Sequence, residues 1–356
     1  MENRCSLGEK EMASKTSLVV ASIHYPTAAM LQLAERATAH GMPFYVIGDL
    51  TMPADFDLPG CDFYDVARQS TLEFKLASRF PATVCSYARK NIGYLLAMQS
   101  GARIIKETDD DNFPLSGFWH SATPRQFAHL LQSPGWENVY RYFTTHRPIW
   151  PRGLPLDAIH SPLPHFDELE AMLCTCPIQQ GLVDQDPDVD AIYRLVTPKH
   201  REVYFGQKRL IALAEKCWCP FNSQNTTWFE DAFPLMYLPL GCSMRLTDIW
   251  RSFVAQRIAW ENNWHVLFAA PTMYQVRNEH DLMKDFRDEI MGYVHNRRIG
   301  EELDKLSLLP GVAHIRENML RCYDVLVSMG LLDSGELVSL GCWLSDVAML
   351  RSSRGA

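Results

Sequence analysis

Helical and strand-like patterns alternate along the first fifty residues of the chain. SLVVASI, residues 17–23, and PFYVIGD, residues 43–49, are short apolar runs rich in β-branched and aromatic side chains, which is typical of buried strands. Between them, TAAMLQLAERATAHG has apolar residues at helical spacing and ends at Gly41. This order predicts an α/β domain with a parallel sheet that begins near residue 17.

The next helical and strand-like patterns lead to three consecutive aspartates. YARKNIGYLLAMQSG, residues 87–101, predicts a helix, and ARIIKET, residues 102–108, predicts the strand that precedes the aspartates at 109–111. Ligands of open α/β sheets bind beyond the carboxyl ends of the strands. The aspartates are therefore expected at a binding site, on a Rossmann-type, mostly parallel sheet flanked by helices.

The remaining sequence divides into an irregular part and a helical part. Residues 113–245 are rich in proline and aromatic residues, which predicts long functional loops over a continuing sheet. Residues 246–263 predict a helix, and the chain is helical after about residue 296. We therefore expect a disordered or loosely held N-terminus at 1–16, an α/β domain at 17–295 and a small helical C-terminal extension at 296–356.

The composition indicates a soluble globular protein and excludes some partners. The chain is 47% hydrophobic and 21% charged, and 34 basic against 42 acidic residues give a net charge of -8. No general basic field exists to attract nucleic acid, although a local basic pocket is allowed. No apolar run reaches about 18 residues, so no transmembrane segment is predicted. We expect a cytoplasmic protein and leave peripheral contact with a membrane open.

The cysteines are expected to be reduced thiols. Ten are present, and two pairs are close in sequence, Cys174 with Cys176 and Cys217 with Cys219. A spacing of one residue differs from the two to four residues that are typical of structural zinc sites. We expect no secretory signal, and therefore no disulfide framework either.

Three adjacent carboxylates at a strand end need a compensating charge. Asp109, Asp110 and Asp111 repel one another, and a hard divalent cation among them would remove that repulsion. Mg²⁺ and Mn²⁺ take oxygen ligands and commonly keep coordination places for substrate phosphates. A solvated acidic turn is the alternative interpretation of such a triplet.

The sequence around the triplet carries a longer pattern. ARKNIGYLLAMQSGARIIKETDDDN, residues 88–112, resembles the A-R-N-x-G stretch and the following D-x-D motif of glycosyltransferases with the GT-A fold. RLTDIWRSFVAQRIAWENNWHVLFAAP, residues 245–271, resembles a later segment of these enzymes, with Asp248 and Arg251 in the acidic and arginine positions. The expected fold is therefore GT-A-like.

Three stretches of the sequence resemble one particular family more closely. NIGYLLAMQSGARIIKETDDDN, GLVDQDPDVDAIYRL and RNEHDLMKDF resemble the STELLO-type glycosyltransferases and their relatives. A weaker likeness extends to the reversibly glycosylated polypeptides, which act as UDP-arabinopyranose mutases. The STELLO likeness spans most of residues 17–295, and we expect no membrane anchor like that of the plant members.

These resemblances imply a metal-dependent transferase that uses a nucleotide-diphosphate sugar. Asp109, Asp111 and His280 would hold Mn²⁺ or Mg²⁺. Asp248 would be the general base of an inverting reaction, and the alternative is that it caps the helix that it begins. The residues expected to contact the donor are Arg89, Asn91, Asp109, Asp110 and Arg251. For Arg89 and Asn91 the alternative is local bonding on a helix surface.

Two other functions stay open at this stage. A mutase that interconverts the pyranose and furanose forms of the donor sugar would need the same metal site without an acceptor pocket. A catalytically silent partner of a polysaccharide synthase would not need an intact triplet. For the transferase, the partners would be a nucleotide-diphosphate sugar and an unknown glycan, lipid-linked or protein acceptor.

Overall fold

The computed structural model describes residues 15–81, 83–146, 148–197, 202–278 and 280–353. The N-terminal segment predicted at residues 1–16 lies outside this part of the chain, apart from Lys15 and Thr16. The first strand begins at Thr16, one residue before the expected start of the α/β domain.

The first third of the chain forms parallel strands with helices on both faces. Its elements are β1 (Thr16–Ser22), α1 (Ala28–Ala39), β2 (Phe44–Gly48), β3 (Asp62–Tyr64), α2 (Val66–Ser70), α3 (Lys90–Gln99) and β4 (Ile104–Asp109). The strands pair in the order β3-β2-β1-β4, all parallel. Residue 93 is glycine because α3 lies very close to the sheet: a Cβ there would lie 2.5 Å from Val19 Cγ1.

The predicted loop region contains short strands that extend the same sheet. Its elements are β5 (Asn112–Pro114), β6 (Arg125–Leu131), β7 (Gly135–Trp136), β8 (Glu170–Thr175), β9 (Ile178–Asp184), α4 (Ala191–Val196), β10 (Leu210–Leu213), β11 (Cys217–Trp218) and β12 (Asn225–Phe229). Helix α5 (Thr247–Trp260) and strand β13 (Val266–Gln275) follow. Short 3₁₀ helices connect the elements at Leu76–Arg79, Tyr87–Arg89, Ser116–Trp119, Val139–Tyr142, Leu156–Ala158, Phe166–Glu168, Glu230–Met236 and Val312–His314.

Within the described ranges, the large sheet has 11 strands, and it is mixed beyond β4. Its order is β3-β2-β1-β4-β12-β9-β13-β10-β6-β8, with β5 paired to β13. Strand β12 is antiparallel to both of its neighbours, whereas β9 pairs with β13 in parallel. An α/β fold with a central sheet flanked by helices is confirmed, with more antiparallel pairing than the sequence predicted.

The C-terminal helices pack on the sheet domain. They are α6 (Leu282–Asp304), α7 (Ile315–Ser328) and α8 (Gly335–Ser352). The boundary predicted after residue 295 falls inside α6. In α8, Trp343 contacts Tyr94 of α3 edge to face, and Asp346 accepts hydrogen bonds from the backbone N–H groups of Lys75 and Leu76 at 3.0 and 2.9 Å. None of the helices within the described residues is long and apolar enough to cross a membrane.

Candidate functional site

The aspartate triplet opens on a large cavity at the carboxyl ends of the parallel strands. Asp109 is the last residue of β4, and Asp110 and Asp111 form the turn to β5. The cavity has a volume of about 1020 Å³, and its wall includes all three aspartates together with Ser22 from β1 and Asp49 beyond β2. The site predicted at the strand ends is therefore a recess that could accept a nucleotide-sized ligand.

Asp110 is turned towards the end of β1. Its Oδ2 atom accepts hydrogen bonds from Ser22 Oγ at 2.5 Å and from His24 Nδ1 at 2.9 Å. The Thr27 hydroxyl, which also caps α1, donates to the Asp110 backbone carbonyl. The hydrogen bond to Asp110 raises the pKa of His24. These contacts fix the turn that Asp110 and Asp111 form after β4. They also occupy one carboxylate oxygen of Asp110.

Asp109 is a carboxylate with an unusually high proton affinity. Burial raises its pKa to about 7, and Asp111 contributes through charge repulsion, while the nearby Lys90 ammonium acts in the opposite direction. Asp109 Oδ1 accepts a hydrogen bond from the Tyr87 hydroxyl at 3.0 Å and lies 3.4 Å from Lys90 Nζ. A divalent cation at this carboxylate would favour its ionised form.

Asp111 is held from β13. Its Oδ1 atom accepts a hydrogen bond from Gln275 Nε2 at 2.8 Å, and Oδ2 accepts one from the Asn278 backbone N–H at 3.3 Å. Burial raises the pKa of Asp111 despite these bonds. The Oε1 atom of Gln275 is buried and has no hydrogen-bond partner among the described residues. An unpaired buried oxygen therefore lies on the side chain that contacts Asp111.

Asp248 forms a buried ion pair at the start of α5. Arg152 donates to Asp248 Oδ1 at 3.0 Å and to Oδ2 at 2.9 Å, and it also binds Asp188 with two hydrogen bonds of 2.8 Å. Burial alone would raise the pKa of Asp248, but the Arg152 guanidinium lowers it to about 2. The side chain is held by Arg152 and Ser223 rather than by its own helix, so the helix-cap alternative does not describe it.

Two of the predicted donor-binding residues lie in the framework outside the cavity wall. Asn91 binds the backbone N–H and carbonyl of Leu238 at 2.9 and 2.8 Å. Arg251 donates two hydrogen bonds to Glu107, and both side chains are fully buried. These contacts join α3 and α5 to the surrounding structure, and Asn91 is a buried residue with a distant partner rather than a helix-surface residue with local bonds.

Arg89 and His280 line the cavity, each with an acidic partner. Arg89 Nε donates to Asp49 at 2.9 Å. His280 Nδ1 lies 3.2 Å from Asp285 Oδ2, and Arg277 donates to the same oxygen at 3.0 Å. Burial would raise the pKa of Asp285, but the His280 hydrogen bond and the neighbouring arginines lower it well below its usual range. His280 is thus placed at the cavity by a carboxylate that stays ionised.

Several basic side chains of the cavity wall were not predicted from the sequence. Arg152, Arg245 and Arg277 line it together with the aspartates. Burial lowers the pKa of Arg277 to about 10, and the neighbouring Arg194 and Arg245 act in the same direction. Arg245 and Arg277 lie within stretches quoted above for their family likeness. These motifs could therefore have pointed to both arginines. Nothing in the local sequence marks Arg152.

Helix α8 and the loops beside it form another wall. Ser339 of α8 accepts a hydrogen bond from Arg79 Nε at 3.1 Å, and both residues line the cavity. Glu336 accepts hydrogen bonds from the backbone N–H groups of Leu240 and Gly241 and thereby fixes a further cavity-lining loop. The C-terminal helices therefore contribute directly to the recess.

Within the described part of the chain, no group of three or more His, Cys, Asp and Glu side chains is arranged to hold a metal ion. The triplet provides two carboxylates, Asp109 and Asp111, that face the cavity at a strand end. Mg²⁺ is commonly bound through one or two carboxylates together with substrate phosphates and water. The metal ligands named from the sequence stay predictions.

Known proteins of one family are similar to this chain. Residues 245–353 match the family described as STELLO glycosyltransferases. From Arabidopsis thaliana, "Probable glycosyltransferase STELLO2" is 27% identical over 350 residues, which cover 94% of this chain and 44% of that protein. "Probable glycosyltransferase STELLO1" is 29% identical over 275 residues, which cover 72% of this chain and 35% of that protein. The chain thus spans less than half the length of either relative, and these matches confirm its resemblance to the STELLO-type glycosyltransferases.

Proposed function

We propose that this protein transfers a sugar from a nucleotide-diphosphate donor with the help of Mn²⁺ or Mg²⁺. The observation that carries the proposal is the aspartate triplet at the end of β4, which faces a cavity of about 1020 Å³. The similarity to proteins named as glycosyltransferases gives this recess its chemical interpretation. The acceptor would be a glycan, a lipid-linked sugar or a protein.

The chemistry of the aspartates fits a hard cation. Burial raises the pKa of both Asp109 and Asp111, so each carboxylate lacks full charge compensation in the protein alone. Gln275 Oε1 is an additional buried oxygen beside Asp111. Asp109 and Asp111 would hold the metal, and His280 would approach it or the diphosphate from the segment that precedes α6. The bound metal would stabilise the negative charge that develops on the departing nucleoside diphosphate.

Basic side chains of the cavity wall would hold the phosphate oxygens. Arg277 lies two residues beyond Gln275 and one before Asn278, both of which contact Asp111. Arg245 also lines the cavity and is fixed by Glu289, whose Oε1 atom accepts from Arg245 Nε at 2.8 Å. Guanidinium groups suit phosphate because they present several N–H donors in one plane. We assign Arg277 and Arg245 to the diphosphate.

An inverting transfer with Asp248 as general base stays a prediction, and the contacts of Asp248 favour another role. Both of its oxygens accept hydrogen bonds from Arg152, and the guanidinium lowers the pKa of Asp248, which makes the carboxylate a weaker base. The Ser223 hydroxyl also donates to Asp248, at 3.1 Å. We assign Asp248 to the positioning of Arg152 and Ser223 in the cavity wall.

A thermal-shift screen with nucleotide sugars, in Mn²⁺ and in EDTA, tests the proposal. A ligand that binds the native state raises the melting temperature, so the correct donor should raise it only when metal is present. Release of the nucleoside diphosphate is then measured on the donor with the largest shift. Shifts that are equal in Mn²⁺ and EDTA would contradict the metal-dependent donor site. Donor binding without any diphosphate release would favour the mutase or the silent partner.

A further inference from the structure

Helix α6 has its polar and apolar sides reversed along most of its length. The apolar side chains on its outer face are Met283, Ile290, Met291 and Val294, with exposed fractions of 57%, 40%, 42% and 65%. Its inner face instead buries Asp285, Glu289 and Asn296. A surface helix of a soluble protein normally turns its apolar face inwards. The outer face of α6 is thus more apolar than packing within this chain explains.

The polar inner face has a clear structural use. Asp285 binds Arg277 and His280, and Glu289 binds Arg245, so the inner face fixes the basic wall of the cavity. Among the described residues, no such contact accounts for the exposed methionine, isoleucine and valine side chains on the other side. Apolar patches surrounded by polar residues commonly mark interaction surfaces.

Exposed apolar side chains also occur on the neighbouring helix α4. Leu195 and Val196 of α4 are 44% and 69% exposed. The two helices are in contact, since the Tyr293 hydroxyl of α6 accepts a hydrogen bond from the Ile192 backbone N–H at 3.3 Å. We call this surface the α6 ridge. It consists of Leu195, Val196, Met283, Ile290, Met291 and Val294.

The exposed charges on the outer face of α6 are mainly basic. Lys284 and Arg287 are exposed between Met283 and Val294, Arg298 is exposed four residues after Val294, and the acidic Glu301 is exposed three residues after Arg298. The acidic Asp288 lies at the margin, less exposed, and pairs with Lys284 at 2.7 Å. In a chain with a net charge of -8, this combination of apolar and basic side chains is a local feature. Its complement is an anionic surface with an apolar layer beneath it.

We propose that the α6 ridge docks this protein on the surface of an anionic lipid membrane. The helix would lie in the plane of the interface, with its methionine, isoleucine and valine side chains below the headgroups and Arg287 and Arg298 at the lipid phosphates. Arg277 and His280, which line the cavity, directly precede α6. Docking would therefore bring the rim of the cavity close to the bilayer. The inference is independent of the proposed sugar transfer.

Co-sedimentation with phosphatidylcholine vesicles, with and without phosphatidylglycerol, tests the proposal. The protein should pellet with the phosphatidylglycerol vesicles, and added salt should weaken the binding. Val294→Glu should lower the partition coefficient at least about tenfold by placing a charge in the apolar layer. Arg287→Glu should lower it about fivefold or more. The matched control is Phe127→Glu on β6, where an apolar side chain is 67% exposed far from the ridge in sequence and should be replaceable without loss.

Each other outcome overturns the proposal. Failure of the unchanged protein to pellet with anionic vesicles would do so, and so would equal losses for Val294→Glu and Phe127→Glu. A dimer seen by light scattering that Val294→Glu dissociates, without vesicle binding, would assign the ridge to a second copy of the chain. Met291→Glu, also at an exposed position, provides a second variant, and unchanged melting temperatures verify that the variants fold.

Discussion

Asp109 and Asp248 are connected through two hydroxyl groups. The Tyr87 hydroxyl lies 3.0 Å from Asp109 Oδ1 and 2.5 Å from Ser223 Oγ, which in turn lies 3.1 Å from Asp248 Oδ2. The carboxylate in the first turn of α5 is therefore coupled to the carboxylate that ends β4. A change at Asp248 should alter the position of Asp109 even if Asp248 never contacts a substrate.

Asp111→Asn should weaken metal-dependent donor binding at least about tenfold, because a hard cation loses a charged oxygen ligand. The protein should still fold, since burial already raises the pKa of Asp111 and thus disfavours its charged form. Calorimetric titration with Mn²⁺ and the donor measures the effect. Asp167→Asn, at a side chain that is 81% exposed, is the control. Unchanged affinity in Asp111→Asn would exclude Asp111 as a ligand.

Gln275→Met should lower Mn²⁺ affinity by a factor of about 10 to 100, the range measured for residues that orient metal ligands. The substitution removes the N–H donor at Asp111 and the buried Oε1 atom while it keeps a side chain of similar length. Gln126→Met on β6 is the matched control. Equal affinities for the two variants would show that Gln275 does not position Asp111.

Mn²⁺ binding should depend on pH through Asp109. Its pKa of about 7 means that the carboxyl is protonated below that pH in the metal-free protein, and Mn²⁺ must then displace the proton. The apparent affinity should fall about tenfold per pH unit below 7 and level off above it. Titrations between pH 5.5 and 8 measure the slope, and an affinity without any change across this range would contradict the assignment.

Folding stability should show the opposite dependence on pH. The pKa of Asp109 in the folded state lies above its unfolded value of 3.8, so the folded protein binds more protons between about pH 4 and 7. The contribution of Asp109 to the free energy of unfolding therefore falls as the pH rises through this window. Without metal, Asp109→Asn should remove this decline, which denaturant unfolding at several pH values can verify.

Arg152→Met should destabilise the protein much more than Asp248→Asn. The arginine lies between Asp188 and Asp248, so its loss leaves two buried carboxylates without their common partner and should cost about 3–5 kcal/mol. Asp248→Asn leaves Arg152 paired with Asp188 and should cost about 1–2 kcal/mol. Denaturant unfolding measures both values. A larger loss for Asp248→Asn would show that Arg152 is not the centre of the cluster.

The local sequence was sufficient for the first part of the fold and for the position of the triplet. β1, α1, β2, α3 and β4 each carry their own hydrophobic period, and the carboxyl ends of parallel strands meet at one edge. Residues 113–245 were predicted as loops because their strands are short and pair with distant segments, as β12 does with β4 and β9. Such pairings leave little periodic signal along the chain.

The sequence did not predict which polar side chains face the cavity and which bind other parts of the protein. Asn91 and Arg251 belong to the motifs, but their partners are Leu238 and Glu107, which lie 147 and 144 residues away in sequence. Spacing alone cannot distinguish a side chain that faces a ligand from one that joins two elements. The same limit applies to Arg152, whose importance depends on Asp248.

Anomalous diffraction from crystals grown with Mn²⁺ and a nucleoside diphosphate tests the central claim most directly. The account predicts a Mn²⁺ peak at about 2.0–2.3 Å from carboxylate oxygens of Asp109 and Asp111, with phosphate oxygens completing its coordination. Arg277 or Arg245 should then contact the diphosphate. A nucleotide bound in the cavity without a metal peak at the aspartates, or a Mn²⁺ ion bound elsewhere, would contradict the account.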